Sequence, residues 1–377
     1  MKKKSFADIL SDISGSDAAR MRRKVPEWAD IEGLEFPTRL SMEQCSSSET
    51  ARYKASLVRS ITSGGVIDLT GGLGVDCWAF SRVAPAVHHN EMDAGLSCTV
   101  RRNFSALDIT NASFSSIEVT PETLGEVLDA AGFEPGLIFL DPARRSDTGR
   151  KVFLLEDCRP DVSALKEALL GAAPDILVKL SPMADISMVC RRLGPEVREV
   201  HVVGADGECK EILVWMQRGW QGGYRTVVGD LRFSPEEETA ARPAFLPGPD
   251  AVRGWLFEPS PAVMKAGCFN LLCSRFGLSK LGRFTHLYIA EAPSEELTLY
   301  GKLFNINEVH NFDGRSIKAV GKSLRRCEVT ARNLPLTSDE LRKKMGAASG
   351  GDTHVFAFTA DFKDSSQRLL AVTERCV

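Results

Sequence analysis

Apolar residues recur at helical spacing over 6–24 and again over 43–60, and Pro26, Gly33 and Pro37 interrupt the run between them. That spacing predicts a helical N-terminal extension over 1–49. The period then changes. Short runs rich in Val, Ile, Leu and Phe, at 65–69, 86–91, 109–114, 136–140 and 175–180, alternate with helix-length segments. Apolar runs of this kind suit a parallel sheet whose two faces are both covered by crossover helices. A closing pair at 200–204 and 211–217 follows, and Ala205, Asp206, Gly207 and Glu208 supply turn chemistry between its strands. Residues 50–225 therefore read as a doubly wound α/β sheet, five parallel strands plus a terminal antiparallel hairpin.

After Gly219 the pattern loosens. A Pro/Glu-rich stretch over 234–250 predicts a connector, followed by a strand, one helix over 261–276 and a strand over 285–290, all within a segment at 226–300. The last segment, 301–377, carries basic helical pieces, a Gly-Gly-Asp turn at 350–352 and an alternating strand over 354–359. At 377 residues the chain exceeds what one hydrophobic core usually serves. One domain of ordinary size with small α+β domains after it fits that length.

Charge adds a possible partner class. The formal net charge of −3 excludes a polycation, yet residues 301–345 hold ten Lys/Arg against five Asp/Glu. Residues 1–24 hold seven Lys/Arg against three Asp. Both segments are suited to face an anion. The ten cysteines are dispersed with no CxxC pair, and neither they nor the six histidines show ligand spacing, so no metal is expected and a reducing cytoplasm is. No run of about 18 apolar residues is present, and no apolar stretch follows the initial Met-Lys-Lys-Lys, which predicts a soluble cytoplasmic protein with no membrane partner.

Three strand ends carry candidate chemistry. Asp68 closes the first strand and leads into Thr70, Gly71, Gly72 and Gly74. Glycine there lets backbone approach a ligand at the edge where open α/β sheets bind. A nicotinamide-binding turn wants a third glycine where Cys77 stands, and Asp76 in the first helical turn would repel a pyrophosphate. S-adenosylmethionine has no phosphate, and its ammonium suits the Asp68 carboxylate. Glu91 ends the second strand, about 20 residues on, where a carboxylate accepts both ribose hydroxyls, with Asp93 as the fallback. The third element, Asp141, Pro142, Ala143, Arg144 and Arg145, follows the fourth strand. Asp141 is placed to face the reacting centre, Pro142 stiffens the turn, and Arg144 and Arg145 offer guanidinium groups to phosphate. Where a general base takes part, Asp141 is the first candidate, with Ser181 and Asp185 around the fifth loop as further options.

With these motifs in this order, residues 50–217 resemble class I S-adenosylmethionine-dependent methyltransferases. The segments around Glu258-Pro259-Ser260-Pro261 and Leu336-Thr337-Ser338-Asp339 resemble bacterial methyltransferase-like proteins with a THUMP-like C-terminal domain. That resemblance implies a ferredoxin-like piece near 255–300, a THUMP-like domain after it, and structured RNA (tRNA or rRNA) as substrate. The basic residues Lys322, Arg325 and Arg326 would then contact RNA. Two departures narrow the chemistry. Ala143 and Arg144 stand where amino-group methylators carry Pro and an aromatic, and neither the fourth nor the fifth strand end offers a cysteine for C5 attack. In-line transfer without a covalent intermediate is the mechanism expected, with catalytic residues Asp141, Pro142 and Arg144. A non-catalytic RNA-binding protein on a degenerate methyltransferase fold is the alternative reading, and a nicotinamide oxidoreductase a disfavoured second one.

Overall fold

The computed structural model describes residues 19–144, 155–363 and 365–376. They form two compact units: one extends to Ala205 and takes in Cys209–Arg225, and the other comprises Asp206–Glu208 and the chain from Thr226 onward.

In the first unit, helices α1 (Arg39–Gln44) and α2 (Ser48–Ile61) precede β1 (Gly65–Asp68), and α3 (Val75–Ser81), β2 (Val87–Asn90), α4 (Ala94–Ala106), β3 (Ala112–Ser115), α5 (Leu124–Ala131) and β4 (Pro135–Leu140) follow. A short ribbon of β5 (Ala143–Arg144) and β6 (Cys158–Arg159) leads to α6 (Val162–Ala172), β7 (Asp175–Leu180), α7 (Ile186–Leu193) and the hairpin β8 (Val197–Ala205) and β9 (Glu208–Gln217). The strand order is β8-β9-β7-β4-β1-β2-β3. Strands β1, β2, β3, β4 and β7 run parallel, while β9 inserts antiparallel against β7, with Leu177 opposite Trp215. This is the doubly wound sheet read from the sequence.

The apolar strands explain the two-sided cover. Ile67, Ile138, Ile176 and Val178 point into one core, while the alternate positions Val66, Leu137, Phe139 and Leu177 point into the other. The N-terminal segment completes the second core, where Met21, Val25, Trp28 and Met42 are buried and Trp28 meets Trp78 edge-on at 5.7 Å. The helix expected over 43–60 is two helices, because Ser47 leaves helical geometry and its side chain accepts the Thr50 N–H to cap α2. Of the first expected helix, 6–18 lie outside the described residues and 19–24 are helical. The third strand starts later than 109, since the Ile109 N–H is still bonded to the Phe104 carbonyl at the end of α4. The closing hairpin is longer than expected and turns through Asp206 and Gly207, both with positive φ.

The second unit opens with an antiparallel pair, β10 (Arg225–Val228) and β11 (Leu231–Phe233), then α8 (Pro235–Ala240). Its main sheet contains β12 (Ala244–Phe245), β13 (Trp255–Pro259), β14 (Ser279–Lys280), β15 (Tyr288–Ala290), β16 (Gly301–Asn311), β17 (Glu328–Arg332), β18 (Thr353–Asp361) and β19 (Ser366–Arg375), in the order β12-β14-β15-β13-β16-β19-β18-β17. The helix expected over 261–276 is broken into α9 (Pro261–Ala266) and α10 (Leu271–Phe276). Gly267 takes a left-handed φ of 78° and ends the first, a conformation costly for any residue with a Cβ. Helices α11 (Glu295–Thr298), α12 (Gly314–Leu324) and α13 (Ser338–Met345) complete the unit. Alternation along β18 divides its cores: Phe356, Phe358 and Ala360 face one cluster, and Val355 and Ala357 face the other, which Ile317, Val320, Leu341 and Met345 fill from α12 and α13.

Among the described residues no helix is long and apolar enough to cross a membrane, and no group of three His, Cys, Asp or Glu is placed to hold a metal ion.

Candidate functional site

The strand order reverses between β1 and β4, where a crevice outside the carboxyl ends is the expected ligand position in such sheets. A cavity of about 1010 Å³ opens there. The glycine turn, Glu91, Asp93, Asp141 and Lys179 contribute its polar lining, Ile117, Val119 and Leu165 an apolar part, and the stretch from Thr38 to Ser46 a further wall.

The turn is held from below. Asp68 Oδ1 accepts the Thr70 N–H at 3.1 Å, and Thr70 Oγ1 accepts the Asp141 N–H at 2.6 Å, which ties the first and fourth strand ends together. Asp68 is 1% exposed and lies beneath the cavity lining; burial, with Asp76 adding to it, pushes its carboxyl well above the ordinary range. His89 presses on the turn from the other side, its Nε2 3.3 Å from the Gly72 carbonyl oxygen, and burial pushes its pKa down to about 4. The imidazole is therefore neutral at physiological pH. A Cβ on Gly71 would stand 2.2 Å from His89 Nε2. Gly71→Ala is accordingly expected to cost about 1–3 kcal/mol as an overpacking change. At about 2–4 °C per kcal/mol, a thermal melt reads it. Combining it with His89→Ala should recover most of the loss, and equal melts for Gly71→Ala with and without His89 would refute the contact.

Glu91 follows β2 and bridges two loops. Its Oε2 accepts the Gly72 N–H and its Oε1 the Asp93 N–H, both at 2.9 Å. Each oxygen keeps acceptor capacity after these bonds. Asp93 caps α4 through the Gly95 and Leu96 N–H groups at 2.8 and 3.1 Å. Asp141 forms an ion pair with Lys179, and both line the cavity. Burial works against the Lys179 charge, but Asp141, Asp76 and Glu211 outweigh it and hold the ammonium above its usual range.

Behind this pair lies a buried cluster that the motif reading missed. Lys54, fully buried, donates to Glu211 Oε1 and Oε2 at 2.8 and 3.0 Å and to Ser46 Oγ at 3.0 Å, and it stands 3.1 Å from Asp76 Oδ1. Ser46 Oγ in turn donates to Asp76 Oδ2 at 2.8 Å. The charge of Asp76, read from the sequence as repelling a pyrophosphate, is thus met by an ammonium. That argument against a dinucleotide falls, and what remains is Cys77, buried in α3 where the third glycine would be. Two signals were legible. Lys179 interrupts the apolar run from Ile176 to Leu180 in β7, and Lys54 falls on the buried stripe of α2 with Ala51, Ala55 and Val58.

Of the sequence-derived residues, Thr70, Gly71, Gly72, Gly74, Glu91, Asp93 and Asp141 line the one cavity. Pro142 is buried behind the lining, and Ser181 is exposed and outside it. The Arg144 side chain and all of Arg145 lie outside the described residues. Lys322, Arg325 and Arg326 are exposed in the second unit, where the Arg326 Nε donates to the Ser349 carbonyl at 2.9 Å.

Comparison with known proteins adds the lineage. A family model for a ferredoxin-like domain matches residues 255–297, and one described as THUMP domain-like matches 301–375. No curated protein matches the chain. Two solved structures share only part of it. A candidate methyltransferase from Streptococcus mutans, solved with S-adenosylhomocysteine, is 13% identical over 44% of this chain and 96% of that one, with a TM-score of 0.32. An rRNA methylase from Streptococcus thermophilus is 11% identical over 44% and 94%, with a TM-score of 0.32. Neither carries weight in reading the site. A candidate methyltransferase from Porphyromonas gingivalis W83 differs in kind: it is 31% identical, with 96% of this chain and 89% of that one covered and a TM-score of 0.82. At that identity and coverage the chain belongs to the same family, class I methyltransferase-fold proteins with a THUMP-like C-terminal domain.

Proposed function

We propose that the protein is an S-adenosylmethionine-dependent methyltransferase acting on structured RNA, tRNA or rRNA, in the cytoplasm. The observation that carries this reading is the cavity at the strand-order reversal, where a glycine turn, a ribose-suited carboxylate and the Asp141–Lys179 pair meet. The residues fit the cofactor. Glu91 has free acceptor capacity for two hydroxyls, Ile117, Val119 and Leu165 offer an apolar wall, and the carboxylates around the floor suit a cationic ligand. Asp68 supports the Thr70–Gly74 backbone, and Asp93 fixes the start of α4 beside Glu91. When bound, the cofactor supplies a methyl group already activated on sulfur. The chain's part is alignment and exclusion of water. Asp141 faces the acceptor side, Pro142 stiffens its turn and Arg144 is the third proposed catalytic residue, while Arg145 and Ser181 are the proposed substrate contacts of this unit. The segment partition read from the sequence, with cofactor binding in 50–225, is part of the same proposal.

Titration with S-adenosylhomocysteine, followed by transfer of labelled methyl to total RNA, tests the reading. Saturable binding with transfer is expected. Absence of binding would sink the cofactor, and binding without transfer to RNA would leave a degenerate fold or a different acceptor.

The RNA substrate is supported by the THUMP domain-like match and by the exposed basic residues near the end of α12. Gel shifts at graded salt are expected to show affinity falling steeply with salt, each neutralised phosphate contact reducing the log–log slope by about 0.7–0.9. Lys322→Ala with Arg325→Ala should flatten that slope. Arg326 is the poorer probe, because its guanidinium also holds the Ser349 carbonyl. An unchanged slope in the double variant would remove these residues from the interface.

A further inference from the structure

We propose that the methyl acceptor is an alcohol, the ribose 2′-hydroxyl of an RNA nucleotide, hydrogen-bonded to both members of the Lys179–Asp141 ion pair. This rests on the methyltransferase reading and specifies its acceptor. The pair stands at the cavity wall with both groups accessible, Lys179 at 16% and Asp141 at 33% exposure. A hydroxyl has one donor and two acceptor positions, so it can take a hydrogen bond from the ammonium, give one to the carboxylate, and keep a lone pair for attack. An exocyclic base amine offers donors, with its lone pair delocalised into the ring, and would meet the ammonium donor to donor. A ring nitrogen has one lone pair, and an ammonium bound to it would block the attack. The charge surroundings favour the same division of labour. Asp141, Asp76 and Glu211 together hold Lys179 protonated, which leaves it an orienting donor and leaves the proton to Asp141.

Two members of the buried cluster of Lys54, Asp76 and Glu211 act on the pair by charge, Asp76 and Glu211 both favouring the Lys179 ammonium. Asp76 is locked by Ser46 and Lys54, so the field acting on Lys179 is set before substrate arrives. In the transfer, the hydroxyl oxygen forms a bond to the methyl carbon as the carbon–sulfur bond breaks. Its electron pair stays on sulfur, neutralising the sulfonium, and the hydroxyl proton passes to Asp141 and then to water.

The test uses the full chain, methyl-labelled S-adenosylmethionine and total RNA from a strain lacking the gene. Product RNA is hydrolysed in alkali. A 2′-O-methyl group blocks cleavage at its own phosphodiester, so label should appear in alkali-stable dinucleotides. Lys179→Met is expected to slow transfer about 100-fold or more while S-adenosylhomocysteine binds within about threefold of wild type, with partial recovery in Lys179→Arg. Label in mononucleotides would overturn the alcohol acceptor and leave the methyltransferase reading standing. A Lys179→Met protein that transfers at the wild-type rate would overturn the hold of the acceptor by the ion pair. Bound S-adenosylhomocysteine with no label in any RNA fraction would overturn the acceptor assignment together with RNA methylation, and no binding at all would overturn the cofactor.

Discussion

Glu91→Ala is expected to weaken S-adenosylhomocysteine binding about 30- to 150-fold, the equivalent of losing about 2–3 kcal/mol of charge-assisted hydrogen bonding. Two separate effects add. The carboxylate is the group proposed to take both ribose hydroxyls, and it also pins the Gly72 and Asp93 N–H groups at 2.9 Å, so its loss loosens the two loops that would flank the ligand. Glu91→Gln separates them. Its amide keeps one acceptor oxygen, which can retain one backbone bond but not a two-hydroxyl clamp, so its affinity should fall between wild type and alanine. Calorimetric titration measures the binding, and melts of the ligand-free variants measure the loop contribution. Binding of Glu91→Ala within twofold of wild type would refute the assignment.

Much of the first unit was legible because a parallel sheet buried on both faces writes itself as short, dense apolar runs. The run at 175–180 coincides with β7, and those at 65–69 and 136–140 differ from β1 and β4 by one residue at an end. Boundaries failed where local chemistry outweighed apolar pattern. Ile109 is spent finishing α4, Ser47 divides a helical stripe, and Gly267 ends a helix that composition alone would continue. The glycine turn and Glu91 were readable as cavity lining because each follows a strand at the carboxyl edge of the sheet. The charge cluster was not, because its members lie in α2, α3, β7 and β9 and only the fold brings them together. Asp76 shows the cost of reading a charge by itself: its sign was right, and its partners reversed the conclusion. The N-terminal stretch likewise reads as an extension, yet it supplies both Ser46 to this cluster and a wall to the cavity.

Lys54→Met is expected to destabilise the protein by about 3–5 kcal/mol, because removing one partner leaves Glu211 and Asp76 buried without their ammonium. At about 2–4 °C per kcal/mol for a unit of this size, the melting temperature should fall by about 6–20 °C. The pH dependence identifies the cause. Burial already pushes the Glu211 carboxyl above its ordinary value, and Lys54 is the largest influence opposing that shift. Without Lys54 the folded-state pKa rises further. A carboxyl whose folded pKa exceeds its unfolded value adds stability that is fully present below the unfolded pKa and is lost as pH rises through the folded one. The deficit of Lys54→Met should therefore be smallest near about pH 5 and widen towards about pH 8, a trend opposite to ordinary acid destabilisation. Adding Glu211→Gln removes the stranded charge and should return about half of the loss at the higher pH, where the single variant is weakest. A lost packing contact would behave differently, giving a deficit flat in pH that the second substitution deepens. Urea melts of the three proteins at the two pH values decide between these outcomes, and a flat deficit would mean that the lysine stabilises the fold by packing and not by charge.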